Sequence, residues 1–137
     1  MGVNIFMNQL YLESTKYTPG INFDPGAGKF EITGVSLPEN VMAFYEPILE
    51  WLYKYSDTLT TIIDPDHPDI KFAFKLNYYN SGSVRYIISI LDALKKINDR
   101  IPVKVEWFYD KDDILLFENG KELEVLSGLK FNFVELD

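Results

Sequence analysis

Ten consecutive residues, Ile70 to Tyr79, alternate so strictly that they constrain the whole chain. Ile70, Phe72, Phe74, Leu76 and Tyr78 fall on one side, and Lys71, Ala73, Lys75, Asn77 and Tyr79 on the other. Side chains of an extended segment point to opposite faces in turn, so this run predicts a strand with one covered face. Val103, Val105, Trp107 and Tyr109 repeat the pattern, as do Phe30 and Ile32 within Lys29 to Val35. Strands of a doubly wound parallel sheet are covered on both faces and read instead as unbroken apolar runs. A sheet with helices gathered on one side is therefore expected.

The segments between these strands carry helical periodicity. Val41, Phe44, Tyr45, Ile48, Leu52 and Tyr55 recur at steps of three or four, predicting a helix that fades near Ser56. Ser36-Leu37-Pro38-Glu39-Asn40 offers it a capping hydroxyl, a proline suited to the first turn and an early acid. Asn80-Ser81-Gly82-Ser83 starts a second helix, which buries Val84, Ile87, Ile88, Leu91 and Leu94 and stops before Ile101-Pro102. Asp110-Lys111-Asp112-Asp113 opens a third, reaching about Leu126, and Phe131 to Glu135 is a last short strand. Tyr17 to Asp24 pairs with Lys29 to Val35 across a turn rich in proline and glycine.

The resulting order is β-β-α-β-α-β-α-β. Strand–helix–strand units of this length make right-handed crossovers between parallel strands. The fold expected is α/β: a single two-layer domain, a mixed β-sheet with three helices mainly on one face. The second face is expected to be aromatic-rich and partly open, since Phe, Tyr and Trp make up 15% of the chain. Residues 1–13 lack pattern and read as a loose N-terminal arm to a domain spanning 14–137. Asp57 to Asp69, with two prolines, reads as a polar loop.

Charge excludes whole classes of function. Thirteen basic against 21 acidic side chains leave a net charge of −8. That field repels phosphate backbones and anionic lipids, so neither nucleic acid nor membrane is an expected partner. Cysteine is absent, which removes disulfides, thiolate catalysis and Cys-based zinc sites. No apolar run approaches a membrane span, and the first residues show no secretory signal, so a cytoplasmic location is expected. Gly2 invites a myristoylation reading, but Phe6 stands where that motif wants a hydroxyl.

Four segments carry side chains of chemical interest. Asp24-Pro25-Gly26-Ala27-Gly28-Lys29-Phe30 looks superficially like a phosphate-binding loop, but its glycine spacing is wrong and it joins two strands. Asp64, Asp66, His67 and Asp69 offer ligands for a hard cation, though two prolines hinder tight wrapping. His67 is also the only histidine on which a Ser–His–Asp triad could be built. Asp110, Asp112 and Asp113 form a carboxylate group that supports an alternative reading as a metal-dependent enzyme. The fourth is Asn80-Ser81-Gly82-Ser83-Val84-Arg85, where a strand ends and a helix begins. Its plain reading is an N-cap. The same place suits a phosphorylation switch, because phosphate adds roughly 1.5 to 2 negative charges at a helix end that tolerates them. A partner packed on that spot would meet the charge, while the fold would survive.

The chain also resembles a known family. Thr18-Pro19 before Asn22-Phe23-Asp24, Leu37-Pro38-Glu39-Asn40, and Glu50-Trp51-Leu52 begin a series of motifs. Leu76-Asn77-Tyr78-Tyr79-Asn80-Ser81-Gly82-Ser83 and Val105-Glu106-Trp107-Phe108-Tyr109-Asp110 continue it. In this order and spacing they are similar to the SiaC family of bacterial regulatory phosphoproteins, over roughly residues 14 to 135. The resemblance implies a STAS-like fold and a non-enzymatic adaptor without a cofactor. It further implies a cognate serine/threonine kinase, a PP2C-like phosphatase, and a diguanylate cyclase bound and activated by the unphosphorylated form, in control of cyclic di-GMP. By position, Ser81 is the implied phosphoacceptor, with Tyr79, Asn80, Gly82, Ser83 and Arg85 around it as partner-binding residues; Asn80 and Ser83 are also expected to shape and cap the turn. Ser81 replaces the usual threonine, Gly82 a usual hydroxyl residue, and Leu37 a common aromatic; the Asp57 to Asp69 loop is longer than in the family. A constitutive interaction module, using the open aromatic face, is a further alternative.

Overall fold

The chain alternates strands and helices in the order β1 (Leu10–Leu12), β2 (Gly20–Asp24), β3 (Lys29–Ser36), α1 (Val41–Thr61), β4 (Ile70–Tyr79), α2 (Ser81–Asn98), β5 (Val103–Asp110), α3 (Ile114–Ser127) and β6 (Phe131–Leu136). This is a computed structural model that describes residues 8–61 and 66–137. The readings of Gly2 and Phe6, and those of Asp64 and Pro65, lie outside the described residues.

The six strands lie in sequence order across one mixed sheet. β1, β2 and β3 are antiparallel, and β3, β4, β5 and β6 are parallel. Each parallel strand is laid beside its predecessor in the same direction. Right-handed crossovers then carry α1, α2 and α3 to the same face, giving the two layers expected.

Inward positions of the strands make the core. Phe23, Phe30, Ile32, Phe72, Phe74, Val105, Trp107 and Phe131 meet Tyr45, Ile48 and Leu52 of α1 and Ile87, Ile90, Leu91 and Leu94 of α2. The aromatic rings interlock at tilted angles, for example Phe23 with Phe72 at 5.4 Å and Phe74 with Trp107 at 5.5 Å.

That placement corrects the expected open face. The aromatic side of the sheet is the one the helices cover, because burying large rings is the strongest reason to cover a face at all. The open side carries Glu31, Thr33, Lys71, Lys75, Asn77, Lys104 and Glu106, with Lys75 paired to Glu31 at 2.8 Å. The constitutive-module reading loses the feature that motivated it.

Four local differences have physical causes. Leu10–Leu12 pairs with β2 as an edge strand, although residues 1–13 read as an arm; three residues are too few for alternation to register. α1 continues beyond Ser56 to Thr61 and tolerates Pro47 in its interior. Asn40, not Ser36, caps α1, its Oδ1 accepting from Ala43 N at 3.1 Å. Finally, the β3–β4 register shifts at Gly34/Val35: Leu76 faces Gly34 while Tyr78 faces Val35, leaving Asn77 as an extra residue. This bulge breaks the alternation just before α2, exposes Tyr78 and turns Tyr79 against Trp107.

Candidate functional site

β3 and β4 end side by side, with Ser36 opposite Tyr79. Asn80 N donates to Ser36 O at 3.1 Å, and the chain then turns into α2. Asn80 is extended (φ −83°, ψ 169°), and its side chain accepts from Ser83 N at 3.0 Å. One of the free N–H groups of the helix start is thereby satisfied.

Beneath this cap runs a buried row of hydroxyls. Tyr45 Oη lies 2.6 Å from Ser36 Oγ, Ser36 Oγ lies 2.8 Å from Ser83 Oγ, and Ser83 Oγ lies 2.6 Å from Asn80 Oδ1. Each hydroxyl has one proton, and Asn80 Oδ1 can only accept. One order uses every proton once: Tyr45 donates to Ser36, Ser36 to Ser83, and Ser83 to Asn80. Burial raises the Tyr45 phenol above its ordinary value, and its bonds with Ser36 and Ser83 oppose that rise. Tyr45 also stacks on Tyr86 at 5.3 Å, so the row is sealed within the α1–α2 contact.

Ser81 stands on top of this arrangement. It is the first residue of α2, it is exposed, and its hydroxyl takes no part in the buried row. Asn80 and Gly82 are half-buried beside it, and Arg85 is exposed one turn further on, its guanidinium 5.4 Å from the Tyr86 ring centre. A Cβ added to Gly82 would lie 3.8 Å from Asn80 Oδ1 and 3.9 Å from Val41 Cγ1, which are ordinary contacts.

Two of the expected partner-binding residues face elsewhere. Ser83 has no accessible surface, so its reading as a partner contact is corrected: it holds the cap from beneath. Tyr79 is half-buried, packs edge-on to Trp107 at 6.2 Å, and bonds Asn119. Burial raises its phenol, and Glu122 and Asp113 nearby add to the rise. Two exposed apolar residues on the neighbouring elements, Met42 and Tyr78, are not legible as partner contacts in the sequence, and Leu37 stands out there only as a departure from the family. Leu37 and Met42 at the approach to α1, and Tyr78 on the bulge, are large apolar side chains left exposed. Exposure of an apolar residue has no periodic signature, so the sequence pattern does not single these side chains out.

The carboxylate readings find different surroundings. Asp113 caps α3, its Oδ1 accepting from Leu116 N at 3.0 Å, while Asp110 and Asp112 are exposed around an open depression shared with Lys111 and Asp137. Both ring nitrogens of His67 are engaged: Nδ1 donates to Pro68 O at 2.7 Å, and Nε2 lies 3.2 Å from Tyr55 Oη. Among the described residues, no three acidic or histidine side chains cluster as a metal would require. Residues 24–30 form the β2–β3 hairpin turn, with Gly28 at φ 67°. Among the described residues, no helix is long and apolar enough to cross a membrane.

Comparison with known proteins agrees with the motif order. Residues 12–136 match the family model described as SiaC family regulatory phosphoprotein. An uncharacterised protein of Pseudomonas aeruginosa (strain UCBPP-PA14) is 27% identical over 117 residues, covering 85% of this chain and 87% of that one. The crystal structure of apo-SiaC from Pseudomonas aeruginosa superposes with a TM-score of 0.74 at 26% identity, over 96% of this chain and all of that one (100%). SiaC in its crystal complex with the diguanylate cyclase SiaD, which it activates, shares the fold with a TM-score of 0.79 at 23% identity, over 93% and 99% of the two chains. With almost its whole length matched, the chain belongs to the SiaC family of regulatory phosphoproteins.

Proposed function

We propose that this protein is a signalling adaptor whose docking is switched by reversible phosphorylation of Ser81. The unphosphorylated form binds and activates a diguanylate cyclase, a cognate serine/threonine kinase adds the phosphate, and a PP2C-like phosphatase removes it. The protein itself is not an enzyme in this reading. The observation that carries it is the contrast between two serines two residues apart. Ser83 is sealed and fully bonded, whereas Ser81 is exposed on the first turn with its hydroxyl outside that network.

Phosphate at residue 81 meets the positive end of α2, which accommodates an anion without disturbing the core. A partner resting on Leu37, Met42 and Tyr78 would have to desolvate that doubly charged group on docking, which costs several kcal/mol in an apolar contact. Asn80, Gly82 and Arg85 complete the docking rim. The likeness to SiaC, seen in complex with the cyclase SiaD, supports the choice of partner.

Binding to a diguanylate cyclase from the same host tests the reading. Unmodified protein and Ser81→Ala should bind alike and raise cyclase turnover, while protein carrying phosphoserine at 81 should do neither. Equal binding by all three forms would remove the switch.

A further inference from the structure

The open face of the sheet holds a feature that the switch does not use. Lys29, Lys71 and Lys104 stand directly opposite one another on β3, β4 and β5. Lys130 precedes Phe131, the partner of Val105, and so comes next in the same row on the approach to β6. All four are exposed, on the side away from the helices, because Phe30, Phe72, Val105 and Phe131 after them point inward. Adjacent strands are about 4.8 Å apart, so the row extends about 14 Å across the sheet.

This row is an electrostatic exception. The chain has 13 basic residues against 21 acidic ones, and four of the 13 sit in one line. Like charges directly opposite on neighbouring strands are destabilising; Asp24 of β2 stands opposite Lys29 at one end of the row, whereas Lys71 and Lys104 have only lysines beside them in the register. Among the described residues, the ion pairs are Lys75–Glu31 and Lys121–Glu124, and neither engages the row. Three of the four, Lys71, Lys104 and Lys130, line a groove of about 530 Å³ whose walls also include the apolar Val103, Val105 and Phe131 and the carboxylate of Glu106.

We propose that this lysine row is a docking site for an acidic polypeptide segment of a partner protein, separate from the surface around Ser81. Charge complementarity selects the occupant. The positive charge is strung out rather than converged, which suits carboxylates repeating every 5–7 Å along a peptide, as they do at i,i+4 on a helix or i,i+2 on a strand (about 6 Å and 7 Å). A compact phosphate wants converging N–H donors, and the N–H groups of the interior strands β4 and β5 are committed to the ladder. Long polyanions such as DNA or an anionic membrane meet the repulsion of the whole chain at net −8.

The test titrates the ¹⁵N-labelled full chain with a short peptide of alternating glutamate and alanine, at about 0.1 M salt. Resonances of β3 to β6 around the row should shift, and Lys71→Glu with Lys104→Glu should weaken binding by about tenfold. Lys71→Gln with Lys104→Gln guards against misfolding of the reversal and should weaken binding in the same direction. Lys54→Glu with Lys96→Glu, an equal charge change on α1 and α2, should leave affinity within about twofold. Four results would each overturn the proposal: no shifts at the row, equal loss in the α1/α2 control, tighter binding of oligo-dT or phosphatidylserine vesicles at the row, or the same shifts from raising protein concentration alone.

Discussion

Ser83 Oγ lies 2.8 Å from Ser36 Oγ, joining the first turn of α2 to the last residue of β3 across 47 positions of sequence. The bond is the middle link between Tyr45 and the Asn80 cap, so the exposed serine at 81 rests on a support drawn from β3, α1 and α2. Ser83→Ala leaves Ser36 bonded to Tyr45 but removes the donor to Asn80. The expected cost is about 1–3 kcal/mol, read as a lower urea midpoint with an unchanged slope. A midpoint equal to wild type would mean the row contributes nothing.

Gly82 gives a prediction of opposite sign. It sits in the first turn of α2 at ordinary negative φ, with room for a Cβ. Gly82→Ala should therefore stabilise the fold by roughly 0.5–1 kcal/mol, through lower backbone entropy in the unfolded chain. Loss of stability would show that the turn needs glycine.

Gly120 behaves differently because α3 crosses Trp107 at that point. A Cβ there would lie 2.5 Å from Trp107 Nε1, the atom that donates to Leu116 O at 3.1 Å. Gly120→Ala should cost roughly 1–3 kcal/mol and change the environment of the buried indole, visible as a red-shifted Trp emission. Wild-type stability with unchanged fluorescence would contradict the close packing described.

Alkaline pH should expose the buried phenols. Tyr45, Tyr55 and Tyr79 all have their ionisation raised above the ordinary 10.0 by burial. The folded state therefore holds these protons more tightly than the unfolded state. Their contribution is complete below pH 10 and is lost as pH rises above it. Unfolding midpoints should be flat from about pH 8 to 10 and fall beyond, and Tyr55→Phe should lessen the fall. A midpoint that stays level as the solution passes well above pH 10 would refute this.

Much of the fold was legible because strands β3, β4 and β5 alternate cleanly and α2 shows a regular apolar stripe. The Asn80-Ser81-Gly82-Ser83 turn was equally readable, since amides and hydroxyls at a strand–helix junction act locally. What could not be read was non-local. Ser36 and Tyr45 join the cap only through tertiary contact, and the bulge at Asn77 turns Tyr79 inward against the alternation. The facing of the sheet was misjudged for a related reason. Alternation says that a strand has two unlike faces, but which one the helices cover depends on total buried area.

Residue 81 carries the proposed switch. Phosphosite mapping by mass spectrometry of the protein purified from its own host, with the kinase gene intact and deleted, tests it most directly. Phosphate on Ser81 is expected in the first sample and none in the second. Phosphate on a different residue, or an unmodified Ser81 in both samples, would contradict it.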